Sequence, residues 1–397
     1  MTLSAEELAA RAGTTAEQIR RLADLRILPS EPRFEEALVP RVRLALELEA
    51  SGIPLEQIGR RSGREGFSLS FADRVFRRPV AMLPTTYAEL LEELQMSERL
   101  FDDVRVSLGV TGDEPVREDD AELLRLLDRM IELGLDEPSL IRFVHSVVDS
   151  TRRMADAGRE LWRTGVEAPL LASGLSHQEL LQASADPAPE SQVIGDRLIG
   201  ILWNRFIEQV VVQASIEHLE LALEEAGVAF RRNPRPPAIA FVDLSGYTQM
   251  TDRVGDHAAA EQARAMLDAV RRTIGGSPGR LVKMLGDGAM LHFPEAGAAV
   301  TCALRLIDRI PRSGLPPARL GIDAGPLIAR DADFFGRTVN VAARLADYAR
   351  PREVLVTSSV VDASGDAPAS FREIGSVALK GVSEPVTVFS AQPTEGS

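Results

Sequence analysis

The chain has 397 residues, a formal net charge of −14, a single cysteine, and 45% hydrophobic and 26% charged residues. A disulfide-built scaffold is excluded, an overall basic nucleic-acid binder is excluded, and no apolar run approaches the roughly 18 residues that a membrane-spanning helix needs. With no signal-peptide pattern either, a cytoplasmic location is expected, and the length predicts two or three domains.

Residues 1–183 repeat a 3.6-residue apolar period, as in 37–48, 87–94, 120–133 and 139–154, with almost no strand signal. An all-helical module over residues 1–190 is predicted. Its opening, LAARAGTTAEQIRRLADLRILP at 8–29 with GIPLEQIGRR at 52–61, resembles the helix-turn-helix of MerR-type regulators. That resemblance implies DNA binding, but the charge opposes it. Residues 1–237 hold 41 acids and 28 bases, net −13, against 18 and 17, net −1, in residues 238–397. An acidic module is repelled by a phosphate backbone, so a scaffold or dimer contact is the better reading and no nucleic-acid partner is expected.

A Pro-containing break at 184–190 precedes a predicted long helix over 193–226, whose apolar content exceeds what a solvated spacer requires and which is therefore expected to be packed. The run RRNPRPP at 231–237 marks a stiff boundary. Residues 191–237 read as a relay helix and Pro-rich linker, and residues 238–397 as a separate domain.

That last domain opens on an apolar strand, 238–242, ending in Asp243 and followed by the small-residue turn Leu244-Ser245-Gly246-Tyr247-Thr248 and a helical stretch over 251–274. Such a turn can aim backbone N–H groups at an anion while the acid holds a hard cation. Two short apolar runs, 281–285 and 289–293, flank Gly286-Asp287-Gly288, a hairpin with a carboxylate at its tip. Two acids at strand ends can bring two metal ions to one phosphate. Lys283, within the hairpin, is one of only two lysines among 45 basic residues, Lys380 being the other. A chain that otherwise uses arginine has kept a compact ammonium there, which makes Lys283 a candidate substrate contact. From Thr338 a helix is predicted, on which Asn340 and Arg344, four apart, share a face suited to orienting a ribose and neutralising a phosphoryl group. Taken singly, each acid reads as a turn residue and the helix face as solvated; the combination tips the balance. Cys302 lies in an Ala-rich amphipathic helix and reads as a core residue.

FVDLSGYT at 241–248, KMLGDG at 283–288, DFFGRTVNVAAR at 333–344 and LKGVSEPVTVF at 379–389 stand in the order and spacing of the class III nucleotidyl cyclase catalytic domain, which residues 238–392 resemble. The resemblance implies an α + α/β chain whose C-terminal domain has a ferredoxin-like βαββαβ core. It also implies a head-to-tail homodimer with ATP at the interface. Asp243 and Asp287 resemble the metal-binding aspartates for two divalent ions, Mg²⁺ or Mn²⁺, with the Leu244 carbonyl as a further ligand. Gly246 and Tyr247 fall in the substrate-binding turn. Lys283 and Asp333 resemble the adenine-reading pair, Asn340 the ribose-orienting amide, Arg344 the transition-state arginine and Lys380 a contact to the terminal phosphates. The guanine-reading members resemble Glu and Cys at the base-reading places, so ATP is favoured over GTP. The metal acids and the Lys-Asp-Asn-Arg set of one site come from opposite chains. Helical module, long helix and cyclase together resemble the pH-responsive mycobacterial adenylyl cyclases, which implies autoinhibition relieved by acid; His145, His177 and His218 are the candidate sensors. The alternative is a nucleotide-sensing DNA-binding regulator.

Overall fold

The computed structural model describes residues 2–30, 32–61, 68–76, 80–111, 115–228, 236–245, 256–331 and 333–394. The chain divides into two compact units, Met1–Val228 and Ala229–Ser397.

In the first unit, α1 (Ala5–Ala12) and α2 (Ala16–Asp24) are joined through Gly13, whose φ of 73° ends α1, and the side chains of Ser4 and Thr15 cap the two N-termini. With α3 (Val39–Ala50), α4 (Leu55–Arg61) and α5 (Ala72–Val75) they close a core around Leu8, Ile19, Leu22, Val42 and Leu55. A second core, around Tyr87, Leu90, Leu100, Leu124 and Leu140, joins α6 (Tyr87–Glu93), α7 (Glu98–Leu108), α8 (Glu118–Glu132) and α9 (Glu137–Trp162). The short α10 (Ala168–Ala172) and α11 (His177–Ala185) lead to α12 (Ala188–Glu225).

Two expectations are corrected here. The unit is not all-helical: β1 (Thr2–Leu3) pairs with β2 (Phe34–Glu35), and β3 (Met82–Thr86) with β4 (Pro115–Arg117). These clasps between helices are too short to show a two-residue period, which is why the sequence hides them. The long helix begins at Ala188, with Pro187 as its cap and Pro189 in the first turn, where no N–H is needed. Beyond its first turns it is also not packed by the described residues of its own unit. Ile194, Trp203, Phe206, Val210 and Leu219 are each more than half exposed. Apolar residues lie on every side of α12, so it has no single face to lay against one core; a helix of that kind is covered only from several directions.

The second unit is a seven-stranded sheet of order β12-β13-β11-β8-β5-β7-β6. Its elements in chain order are β5 (Ala238–Leu244), α13 (Asp256–Ile274), β6 (Arg280–Leu285), β7 (Gly288–Phe293), α14 (Ala296–Arg312), β8 (Ala318–Ala324), β9 (Ile328–Arg330), β10 (Asp333–Phe335), α15 (Arg337–Tyr348), β11 (Val354–Thr357), α16 (Ser358–Ala363), β12 (Ala369–Val377) and β13 (Val386–Pro393). The strands β8-β5-β7-β6, with α13 and α14 between them, form the expected βαββαβ core, β5 running antiparallel to both neighbours. Residues 251–255, the start of the predicted helix, and the turn residues Gly246 and Tyr247 lie outside the described residues.

The two-residue period of β5 decides what each face carries. Ala238, Ala240, Val242 and Leu244 join the core under α13 and α14, which also buries Cys302. Ile239 and Met290 pack instead with Ala342 of α15 on the opposite face. Asp243 therefore belongs to the α15 face.

Candidate active site

The metal-binding candidates meet because of strand register. Asp243 is the partner of Gly288 across the β5–β7 ladder, which sets Asp287 beside it. A Cβ on Gly288 would come within 2.8 Å of the Val242 carbonyl oxygen, so the close approach of the β5 backbone requires glycine there, and it would stand 3.5 Å from Asp243 Oδ1, an ordinary contact. Leu285 pairs with Gly288, making Gly286-Asp287 a two-residue hairpin loop with Gly286 at φ 66°. Partial burial and then the neighbouring Asp243 push the Asp287 carboxyl up, while Arg319 opposes the rise. Two carboxylates held this close call for a cation.

Sequence reasoning missed Arg319. It stands opposite Asp243 on β8 and donates from Nε and Nη2 to Asp243 Oδ2 at 2.9 and 2.6 Å. The available signal was a charge inside the apolar strand ARLGIDA.

Lys283 and Asp287, four apart in sequence, go separate ways. The β6–β7 ladder pairs Leu281 with Leu291 but Lys283 with Met290, so one extra residue, Val282, bulges from β6. Without the bulge Lys283 would fall on the α13 and α14 face; with it, the side chain shares the α15 face with Met290. There its ammonium forms an ion pair with Asp333, fifty positions away on β10. Burial alone would raise the Asp333 carboxyl, but the hydrogen bonds from Lys283 and the Phe334 N–H outweigh it and hold the carboxyl below its ordinary range. A second unforeseen group steadies this hairpin: the Phe334 ring stacks on His292 at 4.4 Å, with the Arg280 guanidinium 5.0 Å from its centroid.

Asn340 and Arg344 lie on one face of α15 and line a cleft of about 210 Å³ with Lys380, Gly381 and Val382. The second scarce lysine is thus brought to the amide and the guanidinium across forty residues of chain. Arg344 is held by its helix neighbour, donating from Nη1 to Asp347 Oδ2 at 3.0 Å.

Among the described residues no group of three or more His, Cys, Asp or Glu side chains converges as a closed metal site. The acid pair suits instead a hard cation that keeps open positions for phosphate oxygens and water. Ser245 Oγ, just past β5, is buried with no hydrogen-bond partner among the described residues, a polar atom suited to a ligand. No helix among the described residues is long and apolar enough to cross a membrane.

Residues 235–392 match the family described as the adenylate and guanylate cyclase catalytic domain. Among curated proteins the chain is 29% identical over 255 residues to a pH-sensitive adenylate cyclase of Mycobacterium tuberculosis, covering 63% of this chain and 61% of that one. It is 29% identical over 259 residues to an adenylate cyclase of Streptomyces griseus, covering 64% and 61%. The matched region thus spans about three fifths of these relatives' length. Among solved structures, an adenylyl cyclase of P. aeruginosa, CyaB, aligns at 21% identity and a TM-score of 0.38, covering 41% of this chain and 96% of that one. Residues 235–392 are thus similar to the adenylate and guanylate cyclase catalytic domain.

Proposed function

We propose that the protein is an adenylyl cyclase that converts ATP to 3′,5′-cyclic AMP and pyrophosphate at composite sites of a homodimer. The observation that carries the choice of ATP is the Lys283–Asp333 pair on the α15 face. An ammonium donates to adenine N1 and a carboxylate accepts from the exocyclic amine, whereas guanine presents the opposite pattern at those edges.

In this reading Asp243 and Asp287, with the Leu244 carbonyl, hold two divalent cations, Mg²⁺ or Mn²⁺. Bound there, the cations supply Lewis-acid activation of the ribose 3′ hydroxyl and neutralisation of the phosphates. Asn340 orients the ribose and Arg344 meets the charge that develops on the α-phosphoryl group. Lys380, in the same cleft, meets the terminal phosphates, and Gly246 and Tyr247 belong to the substrate turn. The acid pair of one chain completes its site with the Lys283, Asp333, Asn340 and Arg344 set of a second copy. The exposed apolar residues all around α12 support assembly with a second chain.

Restraint by the N-terminal unit and activation by acid complete the proposal. The sensors in this reading are His145, His177 and His218, of which His145 Nε2 lies 3.9 Å from Asp103 Oδ1.

The test is cyclic nucleotide formation by the full chain with Mn²⁺ or Mg²⁺. ATP turnover well above GTP turnover supports the proposal, and no cyclic AMP from either the full chain or residues 238–397 refutes it. A fragment 238–397 no more active than the full chain near neutral pH refutes the restraint.

A further inference from the structure

Arg319 is fixed from two directions. The β5–β8 register sets it across from Asp243, and its Nη1 donates to the Asp347 carbonyl at 2.8 Å, tying it to the end of α15. Its other two donors converge on a single oxygen, Asp243 Oδ2. Asp243 Oδ1 is left on the side of Gly288, toward the hairpin that carries Asp287. Both partners are mostly buried, with 28% of each side chain exposed, so the pair is only partly screened by water. Lys283, another cation of this face, is engaged by Asp333. Asp243, Asp287 and Arg319 together carry a net charge of −1.

We propose that Arg319 is a positioning residue that serves as an internal counter-ion of the metal site. It neutralises one of the two carboxylates and pins one oxygen of Asp243. A free divalent cation therefore finds a net −1 site with a guanidinium close by, and is held weakly until the triphosphate brings further negative charge. Without Arg319 the same acids form a −2 site that captures a cation by itself. The proposal rests on the cyclase reading for the identity of the metal acids, and its test is independent of turnover.

The experiment is a titration of the full chain with Mn²⁺ and no nucleotide, following the free ion by electron paramagnetic resonance. Arg319→Gln is expected to bind Mn²⁺ more tightly than the wild type, by roughly tenfold, the scale of one unit charge removed a few ångströms from the ion. Arg319→Lys keeps the charge and is expected to stay within about threefold of the wild type. A purely structural role predicts the opposite sign, since damage to the site weakens binding. Unchanged or weaker binding by Arg319→Gln overturns the proposal. Should Arg319→Gln not fold, as judged by circular dichroism, Arg319→Lys decides: an affinity within that range supports the counter-ion, and a loss beyond it overturns it. If the chain makes cyclic AMP but Arg319→Gln fails to tighten Mn²⁺ binding, this inference falls and the cyclase reading stands. If Arg319→Gln tightens binding in a chain that makes no cyclic AMP, the reverse holds.

Discussion

The helix that carries Asn340 and Arg344 sits directly on a strand at one glycine, and adding a single methyl group there tests the whole arrangement. A Cβ on Gly321 of β8 would lie 2.2 Å from the Ala346 nitrogen, 2.4 Å from the Ala342 oxygen and 2.6 Å from the Leu345 carbonyl carbon. All three atoms are α15 backbone, so no rotamer change relieves the clash. Ordinary contact begins near 3.4 Å, so α15 must retreat by about 1.2 Å. Overpacking of this kind costs about 1–3 kcal/mol, and a backbone obstacle puts Gly321→Ala at the upper end. At about 2–4 °C per kcal/mol for a unit of this size, the melting temperature should fall by roughly 5–10 °C. A displacement near 1 Å of catalytic groups costs about a hundredfold in rate. The assay pairs thermal unfolding by circular dichroism with cyclic AMP formation at saturating ATP. Gly276→Ala, where the added Cβ meets nothing within 4 Å, is the control and should change neither. If Gly321→Ala melts with the wild type and keeps its rate within threefold, the argument that this close approach positions α15 is refuted.

Three further outcomes are expected. Lys283→Arg keeps the charge but replaces one compact donor by a planar fork opposite Asp333, and kcat/KM for ATP should fall by about a hundredfold; near-normal turnover would remove the reason for the scarce lysine. Burial, and then the Arg280 charge, hold His292 down to about 4 against 6.5 for the free side chain. The unfolded chain therefore takes up a proton first as pH falls, so the stability this group contributes is complete above 6.5 and is lost between 6.5 and 4; denaturant titrations of His292→Gln should show a shallower acid limb than the wild type. Asp323, only 3% exposed, accepts a hydrogen bond from the Thr357 hydroxyl at 2.6 Å, and burial pushes its carboxyl up. Its folded form holds the proton more tightly than the unfolded form, so the charged carboxylate destabilises the fold as pH rises. Asp323→Asn should raise the melting temperature by a few degrees at pH 7, and a lower one would contradict this account.

Much of the second unit could be read locally. The Gly-Asp-Gly hairpin, the strand ending at Asp243 and the helix carrying Asn340 and Arg344 are all short-range patterns, since turn chemistry and apolar period act over a few residues. The short clasps β1–β2 and β3–β4 escaped because strands of two to five residues leave no period to read. The packing expected of α12 failed for a related reason: composition shows that a helix wants covering, but the described residues of its own unit do not supply the cover along most of its length.

By itself, then, the sequence marked candidate residues for the proposed chemistry and indicated that they stand at strand ends, hairpin tips and one helix face. Only the tertiary structure decided how they are paired. The bulge at Val282 turns Lys283 toward Asp333, the β5–β8 register delivers Arg319 to Asp243, and Lys380 reaches the cleft of Asn340 and Arg344. Register and bulges are settled by which faces the sheet must bury. That depends on helices far along the chain, and no local window of residues contains it.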